Sequence, residues 1–405
     1  MREPIIILGA GPAGLVTAAA LLKEGIDVVV IEKKLFPRRV VGESLLPISM
    51  EHFESVGFLD ALNSAGFEIK EGARFIKEGK VVDFSFAEQF NKEARTWTWQ
   101  VPRDKFDNIL AEETIKMGGT IHFGAEIQNI DFEHGENLKV SYQQNGKACE
   151  LIGSFLVDSS GFGSVVPRML KLPVDRSQVP NWAIYTHVHD VNQSQYENAK
   201  RISFEVSEID LWFWNIPFSD GVTSLGFVGH KRHFDERREK DPQYFNDLIN
   251  KHVIYFKDRF HKTESRFHPE WYKGFSQSVD TLYGDKYVIT GNCAEFLDPV
   301  FSSGVALATT SAMQSARRII DYLNGKDPDW EGYVKHMRHG IDVFRFYVNS
   351  WYSGDLQNIF FYEQFNQSIK NKICSVLAGY VWDESNEFVT RRQQGIKALS
   401  QIVSR

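Results

Sequence analysis

The apolar run Ile5-Ile6-Ile7-Leu8, the turn Gly9-Ala10-Gly11-Pro12-Ala13-Gly14 and the helical spacing over 15–23 predict a strand, a glycine turn and a helix. A second apolar run, Val28-Val29-Val30-Ile31, ends in Glu32 and completes a βαβ unit. Helical spacing resumes over 48–56, beyond a loop carrying Arg38-Arg39 and Gly42-Glu43-Ser44-Leu45-Leu46-Pro47. Residues 75–99 alternate apolar and polar positions in short stretches, which predicts strands set apart from the first unit. A helix is expected from Val101-Pro102-Arg103-Asp104 to about residue 117, with Pro102 suited to its first turn and Asp104 to its positive end. Strands are then expected over 120–123, 127–133, 138–143 and 151–158, the last closing on Asp158-Ser159-Ser160-Gly161. Residues 182–188, 201–207, 211–216 and 223–229 predict a separate sheet with one aromatic face, followed by a charged helix over 241–260. The chain returns to the first unit through Val288-Ile289-Thr290 and enters a long helix ending near Leu323. Residues 330–405 carry almost no strand signal and read as helical.

Composition narrows the function. With 405 residues, 42% hydrophobic and 24% charged, the chain has the make-up of a globular protein of two or three packed units. A net charge of −7 and the absence of any basic block argue against a nucleic-acid partner. No uncharged run approaches membrane-spanning length, and Met1-Arg2-Glu3-Pro4 leads straight into a strand without the order of a secretory leader, so a cytoplasmic location is expected. Cys149, Cys293 and Cys374 lack metal-site spacing, and the close pairs His187/His189, His230/His233 and His336/His339 show no third ligand in sequence, so no metal site is expected. No GxSxG elbow occurs, which removes a hydrolase reading. The 31 Phe, 14 Tyr and 9 Trp crowd 84–99, 182–218 and 344–365, which suits either a flat apolar ligand or a packed core.

The glycine turn has a physical purpose at each position. Gly9 permits the tight turn, Gly11 lets the backbone approach a pyrophosphate and Gly14 lets the helix close on the strand; Pro12 and Ala13 complete the cofactor-binding turn, and the anion sits on the N-terminus of the helix that follows. Glu32 stands about 20 residues on, where a ribose hydroxyl is received, a solvated strand end being the alternative. Far downstream, the run from Gly291 to Val305 reads as a second nucleotide-contacting loop. One dinucleotide gripped from both ends of the chain suggests FAD.

These motifs, with Gly42-Glu43-Ser44, Arg103 and Asp158-Ser159-Ser160-Gly161, occur in the order that resembles para-hydroxybenzoate-hydroxylase-like FAD enzymes over 1–325. Within them the chain is most similar to the flavin-dependent halogenase branch, because Gly42 to Pro47, Trp212-Phe213-Trp214-Asn215-Ile216-Pro217 and Asp298-Pro299-Val300-Phe301-Ser302-Ser303-Gly304-Val305 match its GESLLP, WxWxIP and DPxFSSGV patterns. Geranylgeranyl-reductase-like enzymes share the scaffold. The resemblance implies an α/β fold: a Rossmann-like FAD-binding domain of the GR2 type from 1–74, 101–174 and 276–325, an inserted mixed-sheet substrate domain from 75–100 and 175–275, and a helical region over 326–405. It implies cofactor contacts at Lys33, Arg39, Gly42, Glu43, Ser44 and Ile127, with Glu32 and Arg103 on the adenosine and pyrophosphate side and Asp158, Ser159 and Gly161 beside the crossover. Gly291, Asn292, Asp298, Pro299 and Val305 belong to the flavin loop, whose Ser302, Ser303 and Gly304 hold chloride in halogenases. Successive amides at a helix start suit an anion, or equally a flavin oxygen.

The chain departs from the pattern at two places. Gly291-Asn292 replaces the usual Gly-Asp, so a neutral amide stands where a ribityl hydroxyl meets a carboxylate. In Gly72-Ala73-Arg74-Phe75-Ile76-Lys77 the halogenase lysine position falls on Arg74 or Ile76, which makes Lys77 the candidate amine one residue off register. Strand alternation turns it to the opposite face unless a bulge intervenes, and a solvated surface lysine is the alternative. Trp212 and Trp214 share one face of a strand, as sheet core or as a wall between substrate and flavin.

The expected function is an FAD-dependent monooxygenase or halogenase acting on an aromatic or unsaturated small molecule, with chloride or bromide as a possible further ligand. The alternatives are a dehydrogenase or double-bond reductase acting on an isoprenoid or polyketide-like chain, and an inactive FAD-binding module. NAD(P)H or a separate flavin reductase supplies electrons, and a carrier protein is a possible bearer of the substrate. Trp351, Tyr352, Phe360, Phe361, Tyr362 and Phe365 either cap a substrate cavity or pack helices.

Overall fold

A computed structural model describes residues 2–176, 181–196, 198–364 and 366–403, so Phe365 of the expected aromatic cap lies outside the described residues. Ile5–Leu8 is the pivot of the nucleotide sheet, pairing in parallel with Val28–Glu32 on one side and Phe155–Asp158 on the other. Thr120–Phe123 and Tyr287–Ile289 extend it in parallel, and Tyr283–Gly284 adds an antiparallel edge. Ile5, Ile6 and Ile7 are fully buried, as a parallel strand covered on both faces requires. Helix Pro12–Lys23 packs against this sheet, and Ser303–Leu323 packs on that helix. Gly14 makes the close approach possible, since a Cβ there would stand 2.0 Å from the carbonyl oxygen of Gly9.

The expected strand over 151–158 is two strands. Lys147–Gly153 closes a three-stranded meander with Leu138–Gln144 and Ala125–Asp131, and Phe155–Asp158 enters the parallel sheet. Ser154 makes the break, donating its amide to Pro4 O and its hydroxyl to Glu3 O.

The second, seven-stranded sheet runs in the order Glu270–Lys273, Asn181–His189, Val222–His230, Leu211–Pro217, Ser203–Glu208, Gly72–Lys77, Lys80–Ser85. Alternation gives it two faces. Tyr185, Phe75, Phe204, Trp212 and Trp214 face the main core, whereas Ile76, Ile184, Phe213 and Phe227 face a satellite core under Tyr244–His252 and Lys257–Phe260. The expected helix over 241–260 divides there, because the buried Glu205 carboxylate accepts the amides of Ile254, Tyr255 and Phe256 and draws the chain out of helical register.

Beyond 326 the described residues hold only helices and connections, beginning with Trp330–Tyr352 and Asp355–Phe360. Trp351 and Phe360 set their rings 5.4 and 5.1 Å from Phe75 and seal the aromatic face of the large sheet. Phe361 is half-buried and Tyr362 is exposed, so the aromatics of this segment divide between packing and surface.

Candidate active site

Gly9 takes φ +95°, a conformation open to glycine, and a Cβ there would meet Ser159 O at 2.6 Å. Gly11 differs: its missing Cβ would meet only Arg38 Nη2, at 3.7 Å, which leaves a small hollow beside a guanidinium. Pro12 opens the following helix, Ala13 is buried in its first turn, and no side chain caps its amides, so the positive end of the helix faces that hollow. Arg38 forms ion pairs with Asp107 Oδ2 at 3.3 Å and, through Nε, with Glu32 Oε1 at 3.8 Å, and that buried Nε makes no hydrogen bond. Arg103 forks onto the buried Asp107 carboxylate at 2.8 and 3.0 Å and donates to Val41 O and Gly42 O. Two guanidiniums, a glycine hollow and an uncapped helix start make a cradle fitted to a pyrophosphate. Glu32 accepts the amides of Ala10 at 2.8 Å and Lys34 at 2.8 Å, which fixes the carboxylate at the edge of this cradle.

The downstream loop closes on the same region. Gly291 has φ +59°, a Cβ there would lie 2.9 Å from Ala13 Cβ, and its amide donates to Ser311 Oγ at 2.9 Å. Asn292 is half-buried and its carbonyl accepts from Gln277 Nε2 at 2.7 Å. Asp298 caps the turn that begins at Pro299 by accepting the amide of Val300. Ser302 is left-handed at φ +56°, and Ser303, Gly304 and Val305 start the helix Ser303–Leu323 with no side-chain cap.

Ser302 Oγ lies 3.1 Å from Ser44 Oγ, and Ser44 Oγ accepts from Lys70 Nζ at 2.8 Å. Lys70 also donates to Leu45 O at 2.8 Å, is 3% exposed, and has no carboxylate partner among its hydrogen bonds. Burial lowers its pKa to about 7, which leaves a substantial fraction as the neutral amine at physiological pH. The strand Glu68–Lys70, paired with Thr98–Gln100, holds this lysine beside the uncapped helix start. Sequence reading missed it, although Lys70 precedes Gly72-Ala73 by two positions.

Lys77 lies elsewhere. It shares the sheet face of Phe75, as alternation demands, but its Nζ donates to Gln357 Oε1 at 3.2 Å, and it lines an open cavity of about 520 Å³ with Glu78, Lys80 and Glu363. None of the cradle residues lines that cavity. Lys33 reaches out to Glu126 at 2.7 Å, and Arg39 bonds Glu270 at 3.3 Å with its guanidinium 3.8 Å from the Phe267 centroid, so of the basic pair Arg38 stands at Gly11. Ile127 is half-buried in the meander strand Ala125–Asp131, which adjoins Val28–Glu32. Asp158 accepts the amides of Ser160 and Val166, Ser159 Oγ meets Thr290 Oγ1 at 2.7 Å, and Gly161 turns at φ +60°.

Above the loop stands the aromatic wall. Trp212 and Trp214 have centroids 6.1 Å apart, and Tyr185 stacks on Trp214 at 6.2 Å. Trp212 Nε1 donates to Tyr352 Oη at 2.9 Å, Tyr352 donates to Asp298 Oδ2 at 2.8 Å, and Asn181 Nδ2 donates to that oxygen at 2.9 Å. Large sheet, C-terminal helix and the loop over 291–305 thus meet at one carboxylate, whose pKa burial raises to about 6. Glu43, 2% exposed, pairs with His187 Nε2 at 2.5 Å, and this histidine therefore joins the Gly42-Glu43-Ser44 loop to the sheet.

Comparison with known proteins agrees with this geometry. The family described as FAD binding domain matches residues 2–331. A 1H-pyrrole-2-carbonyl-(peptidyl-carrier protein) chlorinase of Pseudomonas fluorescens is 27% identical over 86% of this chain and 83% of its own. Tryptophan 2-halogenase of Chondromyces crocatus is 29% identical over 80% of this chain and 62% of its own. A flavoprotein/dehydrogenase from Cytophaga hutchinsonii superposes with a TM-score of 0.93 at 38% identity, covering 100% of this chain and 99% of its own. The flavin-dependent brominase Bmp2 has the same fold, with a TM-score of 0.84 at 22% identity over 99% of this chain and 100% of its own. No helix among the described residues is long and apolar enough to cross a membrane. The cradle, the loop that closes on it and these likenesses lead to one conclusion: the chain belongs to the FAD binding domain family, as an FAD-dependent oxidoreductase whose relatives include the flavin-dependent halogenases.

Proposed function

We propose that this protein halogenates a small electron-rich aromatic molecule, with Lys70 as its active-site amine. The observation that carries the reading is the buried, hydrogen-bonded lysine at the meeting of Ser44 and Ser302. Reduced FAD, when bound, supplies the electrons that let oxygen and halide yield an electrophilic halogen. The residues of the chain do the rest. Gly9, Gly11, Arg38 and Arg103 hold the pyrophosphate end, and the amides of Ser303 and Gly304 offer an anion site at the helix start. Lys70, neutral in part because it is dry, presents a lone pair or a hydrogen bond to hypohalous acid. Trp212, Trp214, Phe75 and Trp351 exclude water, so the electrophile meets an aromatic ring before it meets solvent. The pyrrole and tryptophan enzymes among the relatives support an aromatic substrate, free or on a carrier protein.

The test is turnover with FAD, a flavin reductase, NADH, oxygen and bromide or chloride against a panel of pyrroles, indoles and phenols, read by the isotope pattern of the products. Halogenated product from the native chain, abolished in Lys70→Ala and retained in Lys77→Ala, is the expected result. Halogenation retained in Lys70→Ala removes the amine from the mechanism. Hydroxylated product instead makes the protein a monooxygenase, and halide-independent oxidation or reduction of a double bond places it with the dehydrogenases.

A further inference from the structure

Four side chains from three separated elements converge on the rim of the large sheet. Glu208 and Asp210 flank Ile209 in the turn joining Ser203–Glu208 to Leu211–Pro217. His233 ends the short turn after Val222–His230, and His252 ends the helix Tyr244–His252. Among the described residues, Glu208, Asp210 and His233 are the one group of three such donors whose ligand atoms all lie within 4.8 Å of one another.

The spacing separates ligands from supports. His233 Nε2 and Asp210 Oδ1 are 2.8 Å apart, which is a hydrogen bond. Glu208 Oε1 stands 3.6 Å from His233 Nδ1 and 3.8 Å from His252 Nδ1, both too long for hydrogen bonds. Two donors bound to one tetrahedral ion at about 2.0–2.1 Å stand roughly 3.3–3.5 Å apart, close to both separations. Asp210 then stands behind His233 as carboxylates stand behind metal-bound imidazoles, fixing the ring and its tautomer. Arg232 Nη2 bonds the same Asp210 oxygen at 2.9 Å, so that carboxylate is already held in the supporting position.

His252 is the second, independent observation. It is 8% exposed and neither ring nitrogen makes a hydrogen bond; the nitrogen that faces Glu208 Oε1, at 3.8 Å, is Nδ1. A dry imidazole beside a carboxylate at non-bonding distance is an unused donor aimed into the cluster. The bulge between Val206 and Glu208 shifts the register just before the turn, and such bulges re-aim the side chains that follow. The rings of His233 and His252 are nearly perpendicular at 87°, with centroids 6.3 Å apart, about 1 Å wider than on one tetrahedral ion, so side-chain rotation closes the site.

We propose that Glu208 Oε1, His233 Nδ1 and His252 Nδ1 bind one divalent transition-metal ion, Zn²⁺ by the chemistry of the donor set, with Asp210 orienting His233. The turn it fixes also carries the carbonyl of Ile209, which accepts from Gln357 Nε2 at 3.0 Å on the opposite side. The ion therefore pins from outside the hairpin whose next strand bears Trp212 and Trp214. The proposal is independent of the reaction assigned to the protein.

The experiment uses the full, FAD-loaded chain stripped with chelator and titrated with Co²⁺ or Zn²⁺ alone. Expected are one Co²⁺ per chain with the visible absorption of a four-coordinate ion, and a melting temperature raised by Zn²⁺. Glu208→Gln and His252→Ala each weaken binding at least roughly tenfold, and Asp210→Asn weakens it about tenfold with unchanged stoichiometry. Because Glu208 is half-exposed, its variant decides the matter if His252→Ala does not fold. No saturable one-to-one binding below roughly 100 μM, or equal binding by native protein and Glu208→Gln, overturns the site and leaves an ion-pair network in its place.

Discussion

Tyr352 donates its hydroxyl hydrogen to Asp298 Oδ2 at 2.8 Å while accepting from Trp212 Nε1 at 2.9 Å. Replacing Tyr352 by Phe leaves a buried indole N–H without its acceptor and Asp298 without one donor. The expected cost is about 1–3 kcal/mol of folding stability, read by urea denaturation. Asp298 is held at about 6 in the folded chain against 3.8 ordinarily, so the folded state binds more protons between those values and stability falls as pH rises through them. Loss of the tyrosine bond raises that pKa further, so the variant loses more stability than native protein between pH ~5 and pH ~7.

Lys70 gives the complementary pH dependence. Its pKa is about 7 folded against 10.5 unfolded, so between those values the unfolded chain binds more protons and native stability rises with pH. Below about 7 the full penalty of a buried ammonium is present. Lys70→Met is expected to stabilise the protein at pH ~7 by about 2–4 kcal/mol, flatten this pH dependence and abolish halogenation. A variant that melts lower than native protein at neutral pH removes the burial argument.

Two glycines in one turn separate binding from folding. Gly11→Ala puts a methyl group in the hollow next to Arg38 with nothing closer than 3.7 Å, so the fold is retained while FAD binding weakens about tenfold or more. Gly14→Ala drives a methyl group to 2.0 Å from a backbone oxygen and is expected to lower soluble yield and melting temperature sharply. Flavin fluorescence titration with circular dichroism measures both.

Arg38 and Arg39 are adjacent and not equivalent. Arg38→Ala, which removes the guanidinium beside Gly11, is expected to weaken FAD about tenfold or more. Arg39→Ala removes a partly exposed contact to Glu270 and Phe267 and is expected to leave FAD affinity within roughly twofold. Equal losses in the two variants contradict the assignment of the cradle.

The sequence was most legible where information is local. The strand, glycine turn and helix of residues 5–23 follow from adjacent residues, as do the period-two strands around Trp212 and Trp214. Lys70 escaped because its short strand gives little periodicity and its partner Ser44 is 26 residues away. The break within 241–260 depends on Glu205, about fifty residues upstream, and Tyr352 reaches Asp298 over a separation of 54. In each case a carboxylate, hydroxyl or amine acts on backbone or side chains that only folding brings near.

Trp351 and Tyr352 lie beyond residue 331, where the match to the coenzyme-binding family ends. The stretch matched to the coenzyme-binding family and the aromatic helix packed on the large sheet are therefore separate parts of the polypeptide, joined through Asp298. A change at Tyr352 is therefore felt on both sides of that junction at once, in the sheet through Trp212 and in the loop over 291–305 through Asp298.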